Sequence, residues 1–208
     1  MKRLLKAIVF GVCLIADLPL ILAAGLERLW GGERIFVFCS QLLSLVPGLP
    51  GACLRAAFYC VTLESCSWET HVGFGSIFSH RSVTLGARSS MGSYCVIGHA
   101  RIGESVMMGS RVSIPSGKRQ HLDESGRLSS SRTTFDAVRI GGGTWVGEGA
   151  IVMADVGAHC IVSAGAVVTR KMPDACLIGG NPASVLRELE PVQPARVADP
   201  CARGALEE

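Results

Sequence analysis

Residues 140–169 read IGGGTWVGEGAIVMADVGAHCIVSAGAVVT. Aliphatic side chains stand at Ile140, Val146 and Val152, and again at Val156, Val162 and Val168; within each trio the step is six residues. The residue that follows is mostly glycine or small, as at Gly141, Gly147, Gly157 and Ser163. Two positions before each aliphatic sits another small side chain, among them Thr144, Ala150, Cys160 and Ala166. A six-residue step fits neither strand alternation nor the helical period of about 3.6. It fits a chain that turns after every short strand.

The same period runs upstream. Cys66, Val72 and Phe78 step by six, then Leu85, Met91 and Ile97, then Ile102, Met108 and Ile114. Irregular steps fall only between trios: seven from Phe78 to Leu85, five from Ile97 to Ile102, four from Val152 to Val156. Three sixes make one triangular turn, so the five trios predict five coils of a parallel β-helix with inward aliphatics stacked coil on coil. A glycine or serine after the inward residue is expected to let the backbone turn the corner without a Cβ clash. A glycine-rich β-sandwich needs no sixfold register.

The 208 residues give room for one domain with appendages. Apolar residues make up 49% of the chain but aromatics only 6%. That composition suits a narrow prism filled by valine, isoleucine and alanine, with something lipid-facing besides. A net charge of +3, without basic–aromatic alternation, gives no case for nucleic acid. The nine cysteines show no metal-type pairing. Cys66, Cys95 and Cys160 fall on inward positions as small fillers, so a reducing compartment without a disulfide framework is expected.

Residues 1–62 read as a hydrophobic, membrane-associated segment. Lys2, Arg3 and Lys6 precede AIVFGVCLIADLPLILAAGL at 7–26, whose only charge is Asp17. That predicts a helix over 7–26, long enough to cross a bilayer. A cleaved signal peptide would have a shorter apolar core, and apolar sequence resumes soon after Ala23-Ala24-Gly25. More helix is expected over 35–60, broken near Pro47, Pro50 and Gly51, with Arg55 beside Phe58 and Tyr59 as an interfacial collar. Three basic residues ahead of the first run favour a cytoplasmic N-terminus. One span would then leave 64–208 outside, whereas a second pass or a re-entrant or monotopic hairpin would return them.

The β-helix is assigned to 63–172. It is interrupted by a polar excursion over 115–139 that carries His121 and Asp123 among Lys118, Arg119 and Arg127. An irregular segment of this length inside a compact domain is usually functional or disordered. Residues 173–190 form an exit, and 191–208, rich in proline and alanine, read as a disordered tail.

The repeated I-G-x4 units, the loop histidine, TWVGEGA at 144–150, SAGAVVTR at 163–170 and the closing GGNPASVLR at 179–187 resemble the hexapeptide-repeat acyltransferases. The resemblance implies an all-β fold: a left-handed parallel β-helix with N-terminal hydrophobic membrane helices and a short C-terminal helix at the exit. It implies a homotrimer with active sites between neighbouring prisms, and acetyl-CoA as acyl donor with no metal. The acceptor would be a hydroxyl or amine of a small molecule or saccharide. His121 matches the general base, with Asp123 or Glu124 to fix its tautomer. Gly147, Glu148, Ala164, Gly165 and Thr169 match positions lining the CoA arm; Arg170, Lys171 and Arg187 are set to meet its phosphates. Trp145 faces outward, as acceptor wall or trimer packing. The hydrophobic N-terminus is closer to members that work on polysaccharides or lipid-linked glycans. Because acetyl-CoA is cytosolic, the expected location is the cytoplasmic membrane with the catalytic domain facing the cytoplasm.

His80 and His99 follow Phe78 and Ile97 by two and so share one corner on adjacent coils. They are expected to line the acceptor pocket or cap the corner. Two competing readings remain: a metal-dependent enzyme resembling the carbonic anhydrases of this fold, and a non-enzymatic trimeric scaffold.

Overall fold

A computed structural model describes residues 2–116 and 136–190. Three helices come first: α1 (Lys2–Arg28), α2 (Arg34–Ser44) and α3 (Gly48–Thr62). The helix expected over 7–26 lies inside α1. The stretch expected over 35–60 is two helices, parted just before Pro47, whose ring and missing N–H stop α2.

From Ser65 onward the chain is a parallel β-helix of three sheets, with four, seven and five strands. Each predicted trio is one coil. Cys66, Leu85, Ile102 and Ile140 stack on the first face, continued by single bridges at Val156 and Met172. Val72, Met91, Met108, Val146 and Val162 stack on the second. The third carries Phe78, Ile97 and Ile114, then Val152 and Val168. All but the half-buried Cys66 are buried.

The small positions ahead of the aliphatics are buried too, and their hydroxyls are satisfied between coils. Ser89 donates to the Gly103 carbonyl and accepts from Val106 N–H. Thr144 does the same with Gly157 and Cys160. All eight described cysteines are free thiols, and Cys95 and Cys160 point into the prism.

The corner glycines work differently from the expectation. The left-handed backbone that turns the first and second corners falls three residues after the inward aliphatic, at Arg88, Tyr94, Ser105, Arg111, His159 and Ala175 as well as at glycines. The glycine directly after the aliphatic is needed for stacking. A Cβ at Gly86 would lie 2.5 Å from Glu104 N, and one at Gly147 2.5 Å from Ala164 N, both backbone atoms of the next coil.

Helices α2 and α3 plug the base of the prism. Phe78 packs edge-on against Tyr59, ring centroids 4.5 Å apart, and Tyr59 packs against Phe58 and Phe36. The Tyr59 hydroxyl bonds to Ser40 Oγ (2.7 Å), which also accepts from Phe78 N–H. Arg55, Phe58 and Tyr59 are therefore not an interfacial collar. Arg55 is 1% exposed and donates to the carbonyls of Val72, Leu43 and Val46 at 2.8–3.0 Å. It closes the C-terminal end of α2 and an open edge of the first coil together.

The exit corrects another expectation. Among the described residues, the chain from 173 to 190 forms no helix. Cys176–Gly180 continues the second face, and Ala183–Glu188 returns antiparallel along it. The last coil would otherwise leave a bare strand edge, and a returning strand pairs with it. Arg187 thus lies on a capping strand, opposite Leu177. The tail expected over 191–208 lies outside the described residues.

Two glycines with different duties should respond differently. Gly86→Ala forces a Cβ onto the next coil's backbone and should cost more than about 2 kcal/mol. Gly149, with φ +66° and open space around it, should lose only about 1 kcal/mol as alanine. Urea unfolding of the two variants measures the difference, and equal losses would contradict the stacking role.

Candidate functional site

The third corner, from third face to first, differs from the other two. Its spacing varies, and its column runs His80–Arg81, His99, Ser116, Asp155, then Arg170–Lys171 up successive coils. The excursion is rooted here. His99 N–H donates to Ser116 Oγ (2.9 Å) before it, and Val138 N–H donates to the His99 carbonyl (3.0 Å) after it. Both posts of the loop therefore rest on one residue. His121 and Asp123 lie outside the described residues.

Beside this corner the first face carries a concavity of about 700 Å³ lined by Arg101, Arg139, Lys171, Asp155 and Asp174, among others. Arg101 and Arg139 are paired directly across adjacent coils, an unfavourable juxtaposition of like charge. The carboxylates are turned to the backbone. Asp155 accepts from Arg139 N–H (2.9 Å) and Asp174 from Ala158 N–H (2.8 Å). Among the described residues no carboxylate forms an ion pair with Arg101, Arg139 or Lys171. The concavity therefore presents cations to solvent and suits an anionic ligand.

The remaining candidates occupy another part of the prism. Trp145 projects from the second face, half exposed, between Met107 and Ile161. Gly147, Glu148, Ala164 and Gly165 form the second corner, where Gly165 N–H donates to the Glu148 carbonyl (2.8 Å). The Glu148 side chain reaches Arg111 only at 3.9 Å, both groups well exposed, a pair of little energetic weight. Thr169 returns to the third corner, immediately before Arg170.

No family model matches the sequence. Among solved structures the chain is similar to a maltose O-acetyltransferase from Clostridium difficile 630, at 22% identity and a TM-score of 0.68, over 76% of this chain and 87% of that one. It is also similar to a hexapeptide-repeat-containing acetyltransferase from Vibrio cholerae, at 20% identity and a TM-score of 0.60, over 76% of this chain and 91% of that one. Its fold is that of the hexapeptide-repeat acetyltransferases. At this identity the likeness carries the left-handed parallel β-helix and leaves the chemistry to the residues.

On this hexapeptide-repeat prism a single chain divides the expected site. The loop posts, His80, His99, Thr169, Arg170 and Lys171 share the third corner, while Gly147, Glu148, Ala164 and Gly165 share the second. Arg187 belongs to neither, sitting on the capping strand. Among the described residues no three histidine, cysteine or acidic side chains stand close enough to hold a metal ion.

His80 has a partner that the sequence did not suggest. Its Nδ1 lies 2.7 Å from Glu33 Oε2, and Glu33 Oε1 accepts from Arg81 N–H (2.9 Å). The Arg81 side chain donates to the Ala24 carbonyl and to Glu27 (2.7 and 3.1 Å), and Glu27 accepts from the N–H groups of Ile35 and Phe36 at the start of α2. The segment ERLWGGER at 27–34 is thus a lock between helices and first coil.

The hydrogen bond from His80 holds the Glu33 carboxyl below the ordinary carboxylate range, with burial opposing it. A depressed folded pKa adds stability at pH above the unfolded value of about 4.3, lost as pH falls through the folded value. The wild-type melting temperature should fall between about pH 5 and pH 3. Glu33→Gln should start lower at pH 7 and fall less. Parallel melting curves across that range would count against the lock.

Proposed function

We propose that the chain is an acyltransferase that moves an acetyl group from acetyl-CoA to a hydroxyl or amine of a sugar-type acceptor, lipid-linked saccharides included. The observation that carries the reading is the third corner. A long polar segment bearing His121 is inserted there, rooted on His99, beside a cationic concavity suited to a phosphate-bearing ligand.

In this reading neutral His121 accepts the proton of the acceptor O–H or N–H as the heteroatom attacks the thioester carbonyl. Asp123 holds the imidazole tautomer. The tetrahedral intermediate collapses with loss of the CoA thiolate, to which the imidazolium returns the proton, leaving acetylated acceptor and free CoA. Backbone N–H groups at a corner would stabilise the oxyanion. Gly147, Glu148, Ala164, Gly165 and Thr169 line the pantetheine arm, and Arg170, Lys171 and Arg187 meet its phosphates. His80 and His99 border the acceptor side.

The two groups of residues stand on different edges of one prism, which favours an active site shared between neighbouring chains of a homotrimer. Trp145 and Met107, exposed on the second face, suit such a contact. The apolar helices favour a chain held at the cytoplasmic membrane with its β-helix towards the cytoplasm and cytosolic acetyl-CoA.

Thiol release from acetyl-CoA, measured on detergent-purified protein over a panel of sugars, tests the chemistry. His121→Ala should lower the rate by roughly a hundredfold or more. A variant as fast as wild type would remove the general base, and absence of CoA binding would overturn the acyltransferase. Co-expression tests the shared site. His121→Ala and Ala164→Trp chains, each inactive alone, should recover activity when mixed in one oligomer. No recovery would place both edges' work within one chain.

A further inference from the structure

Among the described residues, exposed large apolar side chains concentrate on the helices at the base of the prism. Between Ala7 and Leu26 the only charged residue of α1 is Asp17, which is buried. Cys13, Asp17, Ala24 and Glu27 form the buried stripe of α1, towards α2, α3 and the first coil. The opposite stripe, from Leu4 through Ile8, Ile15 and Leu22 to Leu26, is 55–75% exposed. Helix α2 repeats the division, with Phe36, Cys39 and Leu43 buried and Ile35, Phe38 and Leu42 exposed.

The way α1 meets the prism decides how such a surface can be used. Near its start, Phe10 packs edge-on against Trp68 (6.1 Å) and the Lys6 ammonium lies over the same ring. Near its end, Arg81 holds the Ala24 carbonyl and Glu27. Trp68 belongs to the first corner of the first coil and Arg81 to the third. Contacts separated by about 21 Å along the helix, at 1.5 Å per residue, thus reach two corners of one coil. The helix lies across the base of the prism and does not point away from it. Were α1 to cross a bilayer, the first coil would have to enter the hydrocarbon with Glu69, His71, His80 and Arg81, at a prohibitive cost. Nor can α2 carry the chain back, since its 11 residues span about 17 Å of a hydrocarbon layer about 30 Å thick.

We propose that the chain is monotopic: α1 and α2 lie flat in one leaflet of a bilayer, their exposed stripes among the acyl chains, with the prism standing in water on that same side. The inference rests on the membrane association proposed above and not on acyl transfer. Charge at the margins fits a lipid surface. Lys6 stands near one end of α1 and Arg28 at the other, with Arg34 opening α2, placed to meet anionic headgroups. Trp30, 79% exposed beside them, is an interfacial anchor. Between α1 and α3 a cleft of about 800 Å³, floored by Ala16, Ala52, Cys53 and Ala56, opens along the helices where an acyl chain can lodge. A second copy covering this face would leave the cationic margins opposed to each other.

Depth-dependent fluorescence quenching tests the arrangement. In the full chain with W30F, W68F and W145F, single tryptophans are introduced as Ile8→Trp, Ile15→Trp or Leu22→Trp. The proteins are placed in vesicles of anionic phospholipid brominated either near the headgroup end or near the methyl end of the chain. A flat helix gives the same depth at all three positions, shallower than the bilayer centre. Deepest quenching at position 15, with the other two shallow, would mean a spanning helix and overturn the proposal while leaving membrane association intact. No quenching at any position, with a dimer by sedimentation, would overturn both and assign the face to a second copy. Epitope tags at the two termini of the otherwise unaltered chain give an independent reading. Both should be cleaved from the same side of sealed vesicles, and cleavage from opposite sides would reject the monotopic arrangement.

Discussion

Backbone lies on backbone at the corners of this prism, and everything else is arranged around that contact. Strands in a sheet are separated by about 4.8 Å, and at the corners the turns of successive coils come equally close. The position after the inward aliphatic therefore has no room for a Cβ, as at Gly86, Gly92, Gly103, Gly141 and Gly147. The tilt that brings the chain round is supplied two residues later, by a left-handed conformation that arginine, tyrosine, serine and histidine adopt here as well as glycine. Each such non-glycine residue costs on the order of 1 kcal/mol. The cost is tolerated because the coils above and below fix the turn from both sides.

Most turns at the first and second corners are bound by this constraint, whereas at the third corner only Gly98 is. Its steps are seven, five and four residues in different coils, and it alone carries an insertion. A corner without fixed geometry can accept a long polar segment without disturbing the stacks, provided that the ends of the insertion are tied. Ser116 and Val138 supply the ties, both on the His99 backbone. The arrangement separates roles: two edges hold the fold, and the third is free to present chemistry.

An open stack has two raw ends, and they are closed by different means. At the top the chain folds back as a strand and pairs with the last coil. At the base, helices do the closing. Tyr59 and Phe58 fill the mouth of the prism, and Arg55, Ser40 and Ser44 bond the backbone of the first coil at Val72, Phe78 and Gly75. A buried arginine bonded to three carbonyls carries a large desolvation cost, and it is justified only because those carbonyls would otherwise be stranded in an apolar site. The helices are thus the lid of the prism and, in the arrangement proposed above, its lipid-facing surface, so the buried face of each is as tightly specified as the exposed face is plain.

The difference in how readily these parts could be read from sequence has a physical basis. The coils repeat, so one inward position is seen five times over, and the register of Cys66 through Val168 followed from spacing alone. The caps occur once. Nothing in ERLWGGER marks Glu27 as the cap of α2, eight and nine residues ahead of the N–H groups it takes, or Glu33 as the partner of His80, 47 positions away. The closing GGNPASVLR is expected to turn into a short helix because it resembles the exit of the hexapeptide-repeat acyltransferases. The open strand edge of Cys176–Gly180 overrides that expectation, since pairing with it satisfies backbone groups that a helix would leave bare. The same logic bears on the expected site. Residues matched one at a time along the sequence gave no sign that they would fall on two edges, and only the triangular cross-section separates Gly147 and Gly165 from Arg170 and Lys171. A triangular prism cannot bring two of its own edges together. That separation is the geometric ground for the shared site proposed above.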